Sequence, residues 1–247
     1  MSVAKRDFQR QYVKNQLGMF WAIADPISFV LIMNVIFSPA FGVSQEEKIP
    51  FVVYMLCGKI AFDLFNNLPH LTHVITDHNY LVKKMHFSME VLPAGRLVSG
   101  LMLHGLIIVI AIPVILFNNI LPTLYWLQLF YYVAALTLLL FGASLLTCSV
   151  TPFFPDLYHI VGIFSRILFF LTPVFWRMEY LPETSARLLK LNPLLYIVNG
   201  YRDSLLYGRG FWNHPWETLY FWSVTAVLLW FGVSVHRKLK PHFAEVV

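Results

Sequence analysis

The ionisable side chains that interrupt the apolar stretches of this sequence are its candidates for chemistry. His70, His73 and Asp77 are spaced i, i+3 and i+7, so on a helix they would lie near one face. Such a set could bind a metal ion or serve as an acid/base pair for acyl transfer. Histidines hydrated at a water boundary show the same spacing, and no cysteine, glutamate or second histidine cluster completes a site. We therefore assign no catalytic residue and no metal ligand to this chain.

Three further charges lie inside apolar stretches, where an unpaired charge is costly. Lys59 and Asp63 are four residues apart, so on a helix they can pair. Pairing would offset part of the roughly 2.5–3.5 kcal/mol that each charge would cost alone near the bilayer centre. Arg166 has two open interpretations: a contact for an anionic group in a passage between spans, or a structural partner of Asp63 or of backbone carbonyls.

Aromatic residues make up 17% of the sequence, and much of this content fits the belts that flank a bilayer. Four phenylalanines lie deeper, beside Asp63 and Arg166, and could line a passage along which sugar rings slide. They are Phe62, Phe65, Phe169 and Phe170. With Lys59, Asp63 and Arg166 they form the candidate passage residues, although the spacing fits ordinary aromatic packing equally well.

The composition places the chain in a membrane. Of its 247 residues, 58% are hydrophobic and only 13% are charged, and the mean hydropathy is +0.64. The net charge of +5 comes from Lys and Arg residues that flank apolar stretches, so nucleic acid is not an expected partner. Cys57 and Cys148 lie inside apolar stretches, which predicts buried free thiols rather than a disulfide.

Six apolar stretches are long enough to cross a bilayer as helices, given that a span needs about 20 residues. They are 19–37, 50–71, 97–117, 124–150, 157–175 and 218–235. Residues 3–17 precede them and predict an interfacial helix, with Phe8 and Tyr12 on one side and Arg6 and Arg10 roughly opposite. The alternative is a basic flank that only orients the first span.

A polar segment between the second and third stretches, residues 77–93, has a helical pattern of its own. Leu81, Met85 and Met89 recur every four residues, with the two lysines at 83–84 turned away from them. The sequence contains no G-x-x-x-x-G-K-[ST] arrangement that could bind nucleotide phosphates. We therefore interpret this amphipathic element as a docking surface on which a separate ATP-hydrolysing subunit acts.

Residues 177–217 change in character, because prolines and glycines divide them into apolar pieces too short to cross a membrane. Two pieces, 187–191 and 194–206, are predicted to be half-inserted helices. Most Lys and Arg residues outside 177–217 fall on one side, which places both termini in the cytoplasm. The fold class is an all-α integral membrane protein in one domain, residues 1–247. It has six transmembrane helices, an N-terminal interfacial helix, a cytoplasmic coupling helix and two short re-entrant outer helices.

Several segments, in their order and spacing, resemble the membrane subunit of ABC-2 type ABC transporters that export cell-surface polymers. These segments are Gln16–Ala22 with Pro26, Asn79–Pro93, Thr172–Trp176 and Leu191–Pro193. Others look most like the wall teichoic acid exporters of Gram-positive bacteria, namely Gly200–Gly208, Thr218–Trp222 and Lys240–Ala244. Ser88 departs from the family pattern, in which a proline commonly follows the phenylalanine, so the bend after the docking helix is open.

The resemblance implies a homodimer of this chain with two ATP-binding cassette subunits. Those subunits would bind ATP and Mg²⁺, and this chain would bind no cofactor. The interfacial helix, residues 3–17, and a coupling helix would contact them. The residues assigned to the coupling helix are His78, Asn79, Tyr80, Leu81, Val82, Lys83, Lys84 and Met85. The short helices around 183–206 would gate the outer mouth, with the gate residues Asn192, Pro193, Tyr201, Arg202 and Asp203.

The implied cargo is a polymer of polyol phosphate and sugar, carried on a polyprenyl diphosphate lipid across the bacterial plasma membrane for cell wall biogenesis. Lys59 and Arg166 would suit a polyanion and a diphosphate. O-antigen or capsular polysaccharide is the alternative cargo. Two other classes stay open: a membrane-embedded acyltransferase or phosphatase that uses His73 and Asp77, and a passive channel or scaffold that needs no ATPase.

Overall fold

The computed structural model describes residues 20–37, 49–78, 80 and 89–246. Regular secondary structure in these residues is entirely helical. The α-helices are α1 (Phe20–Phe37), α2 (Phe51–Phe65), α3 (Leu68–Thr72), α4 (Val74–Asp77), α5 (Val91–Phe117), α6 (Gln128–Val150), α7 (Leu157–Leu171), α8 (Glu183–Leu189), α9 (Pro193–Arg202), α10 (Pro215–Leu239) and α11 (Phe243–Val246). The shorter 3₁₀ turns are Leu124–Leu127, Met178–Tyr180, Phe211–Asn213 and Lys240–His242.

Four helical stretches among the described residues are long and apolar enough to cross a membrane. They are Phe51–Thr72, Val91–Phe117, Leu124–Val150 and Pro215–His242, with 22, 27, 27 and 28 residues. These stretches correspond to the second, third, fourth and last predicted spans. The first and fifth correspond to α1, with 18 residues, and to α7, a shorter apolar helix of 15. The count of six spans therefore stays a prediction.

Prolines set three helix boundaries that differ from the predicted spans. Pro69 has no N–H to donate to the Phe65 carbonyl, so the second span is divided into α2 and α3 by a turn at 66–67. α7 ends at Leu171, short of the predicted 175, because Thr172 precedes a proline and adopts extended backbone with φ −93° and ψ 132°. α10 begins at Pro215, before the predicted 218, because proline suits the first turn of a helix.

The predicted outer segment, residues 177–217, holds two short α-helices whose bounds differ from the predicted ones. α9 begins where Asn192 caps it, since the Asn192 side chain accepts a hydrogen bond from the Leu194 N–H at 3.0 Å. A π-helical turn, Asp203–Tyr207, continues α9 and ends at Gly208, whose φ of 61° favours glycine. Insertion of these helices into a membrane stays a prediction.

α2 is the central helix of the bundle. In the most apolar part of Phe51–Thr72, 78% of the residues are buried inside the bundle. The corresponding share is 50% for Leu124–Val150, 22% for Val91–Phe117 and 17% for Pro215–His242. The surrounding helices therefore keep broad apolar faces for lipid, and α2 has few such positions. α6 and α10 pack at close range, because a Cβ on Gly232 would lie 2.4 Å from the Gly142 carbonyl oxygen.

Candidate functional site

The ion pair on α2 joins two of the candidate passage residues. Lys59 Nζ pairs with Asp63 Oδ1, as their spacing of four residues allows. The Lys59 ammonium also lies 5.0 Å from the centroid of the Phe29 ring of α1, a cation–π distance. Both charged side chains are largely buried, with 11% and 18% of their surface exposed. The pairing reduces the cost of holding these charges in an apolar helix.

The candidate passage phenylalanines form one aromatic cluster between α2 and α7. The Phe169 ring is its centre, at centroid distances of 5.1 Å from Phe62 and 5.4 Å from Phe170. Phe65 lies 5.5 Å from Phe62. Phe62 and Phe65 are buried in the packed interior of this chain, whereas the Phe170 ring is 64% exposed. Of these four rings, Phe170 is therefore the one most available to a substrate or to a second chain.

Arg166 lies on the exposed side of α7. Its Nε is 3.4 Å from the Gly162 carbonyl oxygen, one turn earlier in the same helix. In the part of the chain that the structure describes, Arg166 has no ion-pair partner, so the expected alternative of a pair with Asp63 is not observed. Arg166 and Phe170 are four residues apart and both exposed, so they share one face of α7.

The predicted coupling helix is described at two of its positions. His78 directly follows α4 and is buried, and its Nδ1 lies 2.9 Å from the carbonyl oxygen of Val74, the first residue of that helix. Tyr80 is 49% exposed, and its ring centroid is 6.3 Å from that of His78. Position 79 and residues 81–88 lie outside the described residues, as do the interfacial-helix residues Arg6, Phe8, Arg10 and Tyr12. Their roles stay predictions.

The histidine cluster lies at the end of the second predicted span, and the side chains of His73 and Asp77 are 40% and 54% exposed. His73 Nδ1 lies 3.1 Å from Asp77 Oδ1 and 2.6 Å from the Thr76 hydroxyl. Within the described residues, no group of three or more His, Cys, Asp or Glu side chains could hold a metal ion. The exposed His73–Asp77 pair therefore has the geometry of a local contact on α4.

A group of four polar residues, Glu90, Ser149, His236 and Lys240, joins three parts of the chain. We name it the inner clasp because the sequence predicts that this end of the bundle faces the cytoplasm. Lys240 Nζ donates to Glu90 Oε1 at 2.8 Å, and His236 Nε2 lies 3.7 Å from the same oxygen. His236 Nδ1 is 2.7 Å from the Ser149 hydroxyl of α6. The hydrogen bond from Lys240 holds the pKa of Glu90 below its ordinary value. The clasp therefore connects the end of the segment at 77–93 to the C-terminal end of α10.

An apolar cluster reinforces the inner clasp. Phe243 of α11 is fully buried and packs among side chains of α4, α5, α6 and the turn before α5. The cluster comprises Val74, Ile75, Met89, Leu92, Cys148 and Phe243. Residues on both sides of the predicted coupling helix thus share one packed group with the C-terminal segment, and Leu239 at the end of α10 packs against this group.

Arg202 is the most unusual gate residue, because its guanidinium is buried and binds backbone carbonyls. Nε donates to the Tyr54 carbonyl at 3.3 Å, and one Nη donates to the carbonyls of Pro173 at 2.7 Å and Val174 at 2.9 Å. Its Cζ lies 3.6 Å from the centroid of the Tyr54 ring. A Cβ on Gly58 would lie 2.5 Å from Arg202, so this glycine leaves the space that the guanidinium fills.

The other gate residues hold the same region together. The Asn192 amide donates to the Thr172 hydroxyl at 2.8 Å, which joins the start of α9 to the end of α7. Pro193 opens α9. The Tyr201 hydroxyl lies 2.8 Å from His104 Nε2 of α5, and both side chains are buried. Asp203 Oδ2 lies 3.4 Å from His214 Nε2.

A cavity of about 720 Å³ lies beside these gate residues. We name it the outer cavity after the predicted outer segment, residues 177–217, which supplies most of its lining. It is bordered by α2, the chain from 173 to 193, α9, the π-helical turn and the start of α10. Its aromatic lining consists of Tyr54, Tyr132, Tyr196, Tyr207, Trp216 and Tyr220. α10 begins at this cavity and ends beside the inner clasp, and its 25 residues cover about 37 Å at ~1.5 Å per residue. The cavity and the clasp are therefore at opposite ends of the bundle.

The comparison with protein families decides the class of this chain. Residues 1–206 match the family described as ABC-2 type transporter. The chain belongs to the ABC-2 type transporter family. Together with its long apolar helices, this membership makes the chain an integral membrane protein.

Curated relatives of this ABC-2 chain align along nearly its whole length. An O-antigen export system permease protein RfbA from Klebsiella pneumoniae is 26% identical, over 99% of this chain and 93% of the relative. A protein of the same name from Myxococcus xanthus is also 26% identical, over 100% of this chain and 94% of the relative. The polysialic acid transport protein KpsM from Escherichia coli is 23% identical, over 94% of this chain and 90% of the relative.

Sequence reasoning missed three residues of these sites. Glu90 and Lys240 are 150 positions apart, and no local pattern relates them. Tyr54 lies near the start of a span, where an aromatic residue fits an interfacial belt, yet its ring and its carbonyl both contact Arg202. A signal was available in Gly58, since a glycine within a span often marks a close approach by another group.

Proposed function

We propose that this chain is the transmembrane permease subunit of an ATP-driven exporter that moves a lipid-linked cell-surface polysaccharide across the bacterial plasma membrane. The observation that carries the proposal is the alignment, over 99% of this chain, with a relative named as an O-antigen export permease. The family match over residues 1–206 supports the transporter part of the proposal and names no cargo.

The energy source in this proposal is a separate pair of ATP-binding cassette subunits. The chain has no phosphate-binding loop of the G-x-x-x-x-G-K-[ST] type, so ATP and Mg²⁺ bind to those partners. We propose a homodimer of this chain with two such subunits. Each copy has six spans with both termini in the cytoplasm, and the four long apolar helices supply four of these spans.

The passage for the polymer in this proposal lies beside α7. Arg166 and Phe170 share an exposed face of that helix, and a charged side chain is costly where it faces lipid. We infer that this face turns toward a second copy of the chain and a wet passage between the copies. Arg166 would then contact an anionic group of the cargo, such as a diphosphate.

The coupling step in this proposal passes through the inner end of the bundle. Closure of the ATP-binding partners moves the helix at 78–85, which the partners hold more tightly in one state than in the other. The inner clasp and the Phe243 cluster join the residues that flank this helix to α5 and α10. Movement of the coupling helix is therefore transmitted to two long spans, which shift and open the passage.

The class of cargo has two candidates. The names of the curated relatives, O-antigen and polysialic acid transport proteins, favour a polysaccharide. The resemblance of 200–208 and 218–222 to wall teichoic acid exporters favours a polymer of polyol phosphate and sugar. The polyprenyl diphosphate carrier that the family resemblance implies would give either polymer an anionic head, so the passage chemistry proposed for Arg166 would serve both candidates.

Assembly with an ATPase tests the proposal. The chain should co-purify with an ATP-binding subunit, and its presence should change the rate of ATP hydrolysis. The double variant Leu81→Asp, Met85→Asp should stay in the membrane but lose this partner, because two charges enter the apolar docking face. Leu188→Asp, at a 66% exposed position of α8, is the matched control and should keep the partner. Normal assembly by the double variant would contradict the coupling assignment.

A further inference from the structure

We propose that the outer cavity is a saccharide-binding site that holds a short neutral stretch of the exported polymer. This inference rests on the proposed function and names the chemistry that the site recognises. The volume of about 720 Å³ lies within the ~300–1,000 Å³ typical of ligand pockets. A cavity of this size can hold a short oligosaccharide.

Exposed aromatic faces supply the first half of the recognition chemistry. Trp216 is 79% exposed, and Tyr207 and Tyr220 are 39% and 38% exposed, so these rings are available at the cavity. The Tyr220 hydroxyl donates to the Leu191 carbonyl at 2.7 Å, which fixes the position of its ring. The C–H face of a sugar ring is apolar and packs against such rings, while its hydroxyl groups point to the sides.

Asn199 supplies the second half of the recognition chemistry, because its side-chain amide has both hydrogen-bond donor and acceptor atoms. It is the single exposed residue between Leu194 and Leu205, where its neighbours on α9 and the π-helical turn are all buried. Among the described residues the Asn199 side chain has no hydrogen-bond partner, and it lines the cavity. A side-chain amide can satisfy two adjacent hydroxyl groups of a sugar.

The charge of the lining favours neutral sugars over a polyanion. The cavity is lined by four cations, Arg177, Lys190, Arg202 and Arg209, and by three carboxylates, Glu179, Asp203 and Glu217. Four positive charges and three negative charges leave a net charge of about +1, so a chain of phosphates gains little there. Mixed donors and acceptors are instead suited to hydroxyl groups, which both donate and accept.

The site also lies where a polymer would leave the bundle. The start of α10 borders the cavity, whereas its end contacts Glu90, beside the predicted coupling helix. The gate residues Asn192, Arg202 and Asp203 are part of the lining. A saccharide held here would contact the gate elements directly, so binding would be linked to their position.

The test uses the permease purified with its ATP-binding partner. The probe is the oligosaccharide fraction of two to six sugars, released by mild acid from the lipid-linked polymer of the source cells. A glycerol phosphate hexamer is the polyanionic comparison. Binding is measured by calorimetry for the wild type and for Trp216→Leu, Asn199→Leu and Trp230→Leu. Trp230 is the matched control, because it is 70% exposed on the same helix and lies outside the cavity lining.

Trp216→Leu and Asn199→Leu should each weaken binding of the oligosaccharide about tenfold or more, and Trp230→Leu should leave it unchanged. The proposal is overturned if the wild type binds no oligosaccharide, if Trp230→Leu weakens binding equally, or if the glycerol phosphate hexamer binds more tightly. ATPase assembly and export of the polymer are measured on the same preparations. If the wild type exports the polymer but binds no oligosaccharide, this inference alone is wrong. If the wild type neither assembles with the ATPase nor exports the polymer, the proposed function is wrong.

Discussion

The Lys240 ammonium lies 2.8 Å from the Glu90 carboxylate and so joins two residues that are 150 positions apart in the sequence. Glu90 precedes α5, at the end of the segment predicted to dock on the ATPase, and Lys240 follows α10. His236 lies 3.7 Å from the same carboxylate oxygen and 2.7 Å from the Ser149 hydroxyl. The contact therefore joins the segment that follows α10 to the start of α5.

Glu90→Gln should weaken this contact in a way that depends on pH. The Lys240 hydrogen bond lowers the pKa of Glu90, so its contribution to stability is present above the unfolded-state pKa. That contribution is lost as the pH falls through the lower folded-state pKa. The wild type should therefore unfold at a higher temperature than the variant at pH 7, and the difference should shrink in acid. For a partly exposed pair, the difference is roughly 0.2–1 kcal/mol.

Glu183→Gln is the control for the charge change. The Glu183–Arg187 pair of α8 is 80% and 75% exposed, so its loss should change the unfolding temperature very little at any pH. A Glu90→Gln variant with the same unfolding temperature as the wild type across this pH range would show that the clasp contributes nothing to stability.

Arg202→Met should destabilise the chain strongly. The substitution leaves the Pro173 and Val174 carbonyls without their donor in a buried site and removes the stacking on Tyr54. We expect a loss of roughly 3 kcal/mol or more in the free energy of unfolding. Thermal unfolding in detergent measures it, with Arg209→Met, at an exposed position, as the control. Equal stability of the two variants would contradict the role assigned to Arg202.

Gly58→Ala tests the close approach between α2 and Arg202. The new methyl group would lie 2.5 Å from the Arg202 guanidinium and 3.0 Å from the Val174 carbonyl oxygen, so the guanidinium must move. Overpacking of this kind costs about 1–3 kcal/mol. Gly105→Ala makes the same change on α5, where nothing lies within 4 Å, and should not destabilise the chain. If both variants unfold at the wild-type temperature, the predicted crowding is wrong.

Arg166→Met should impair export and leave assembly intact. The residue lies on the exposed side of α7, and its hydrogen bond within the described residues is to a carbonyl of its own helix, so its loss removes little packing. The measurement compares export of the polymer by cells that carry Arg166→Met or the control Arg187→Met, an exposed arginine on α8. Full export by the Arg166 variant would favour a purely structural role for this side chain.

Local features of the fold could be predicted from the sequence, and distant contacts could not. The spacing of Lys59 and Asp63 implies their ion pair, because four residues place both side chains on one face of a helix. Hydropathy also predicts the long spans, because each span is one continuous apolar stretch of the sequence. The helix breaks near Pro69 and Pro173 carry a local signal too, in prolines that remove a donor or restrict the preceding residue.

The candidate site depends on contacts that no local pattern contains. The Arg202 guanidinium binds the carbonyl of Tyr54, 148 positions away, and backbone carbonyls have no signature in side-chain identity. The outer cavity likewise joins residues from α2, α9 and α10, whose proximity follows from the packing of whole helices. Phe62 and Phe65 lie in the packed interior, and their spacing could not predict this. Residues that line a passage and residues that pack in a core recur along a helix with the same period.

Reconstituted transport tests the central claim most directly. Purified permease and its ATP-binding partner are placed in lipid vesicles with the lipid-linked polymer, and the polymer that crosses the membrane is measured with ATP, without ATP, and with the Leu81→Asp, Met85→Asp variant. We predict transport that requires ATP and the partner and that the variant abolishes. Transport at the same rate without ATP, or by the permease alone, would contradict the account.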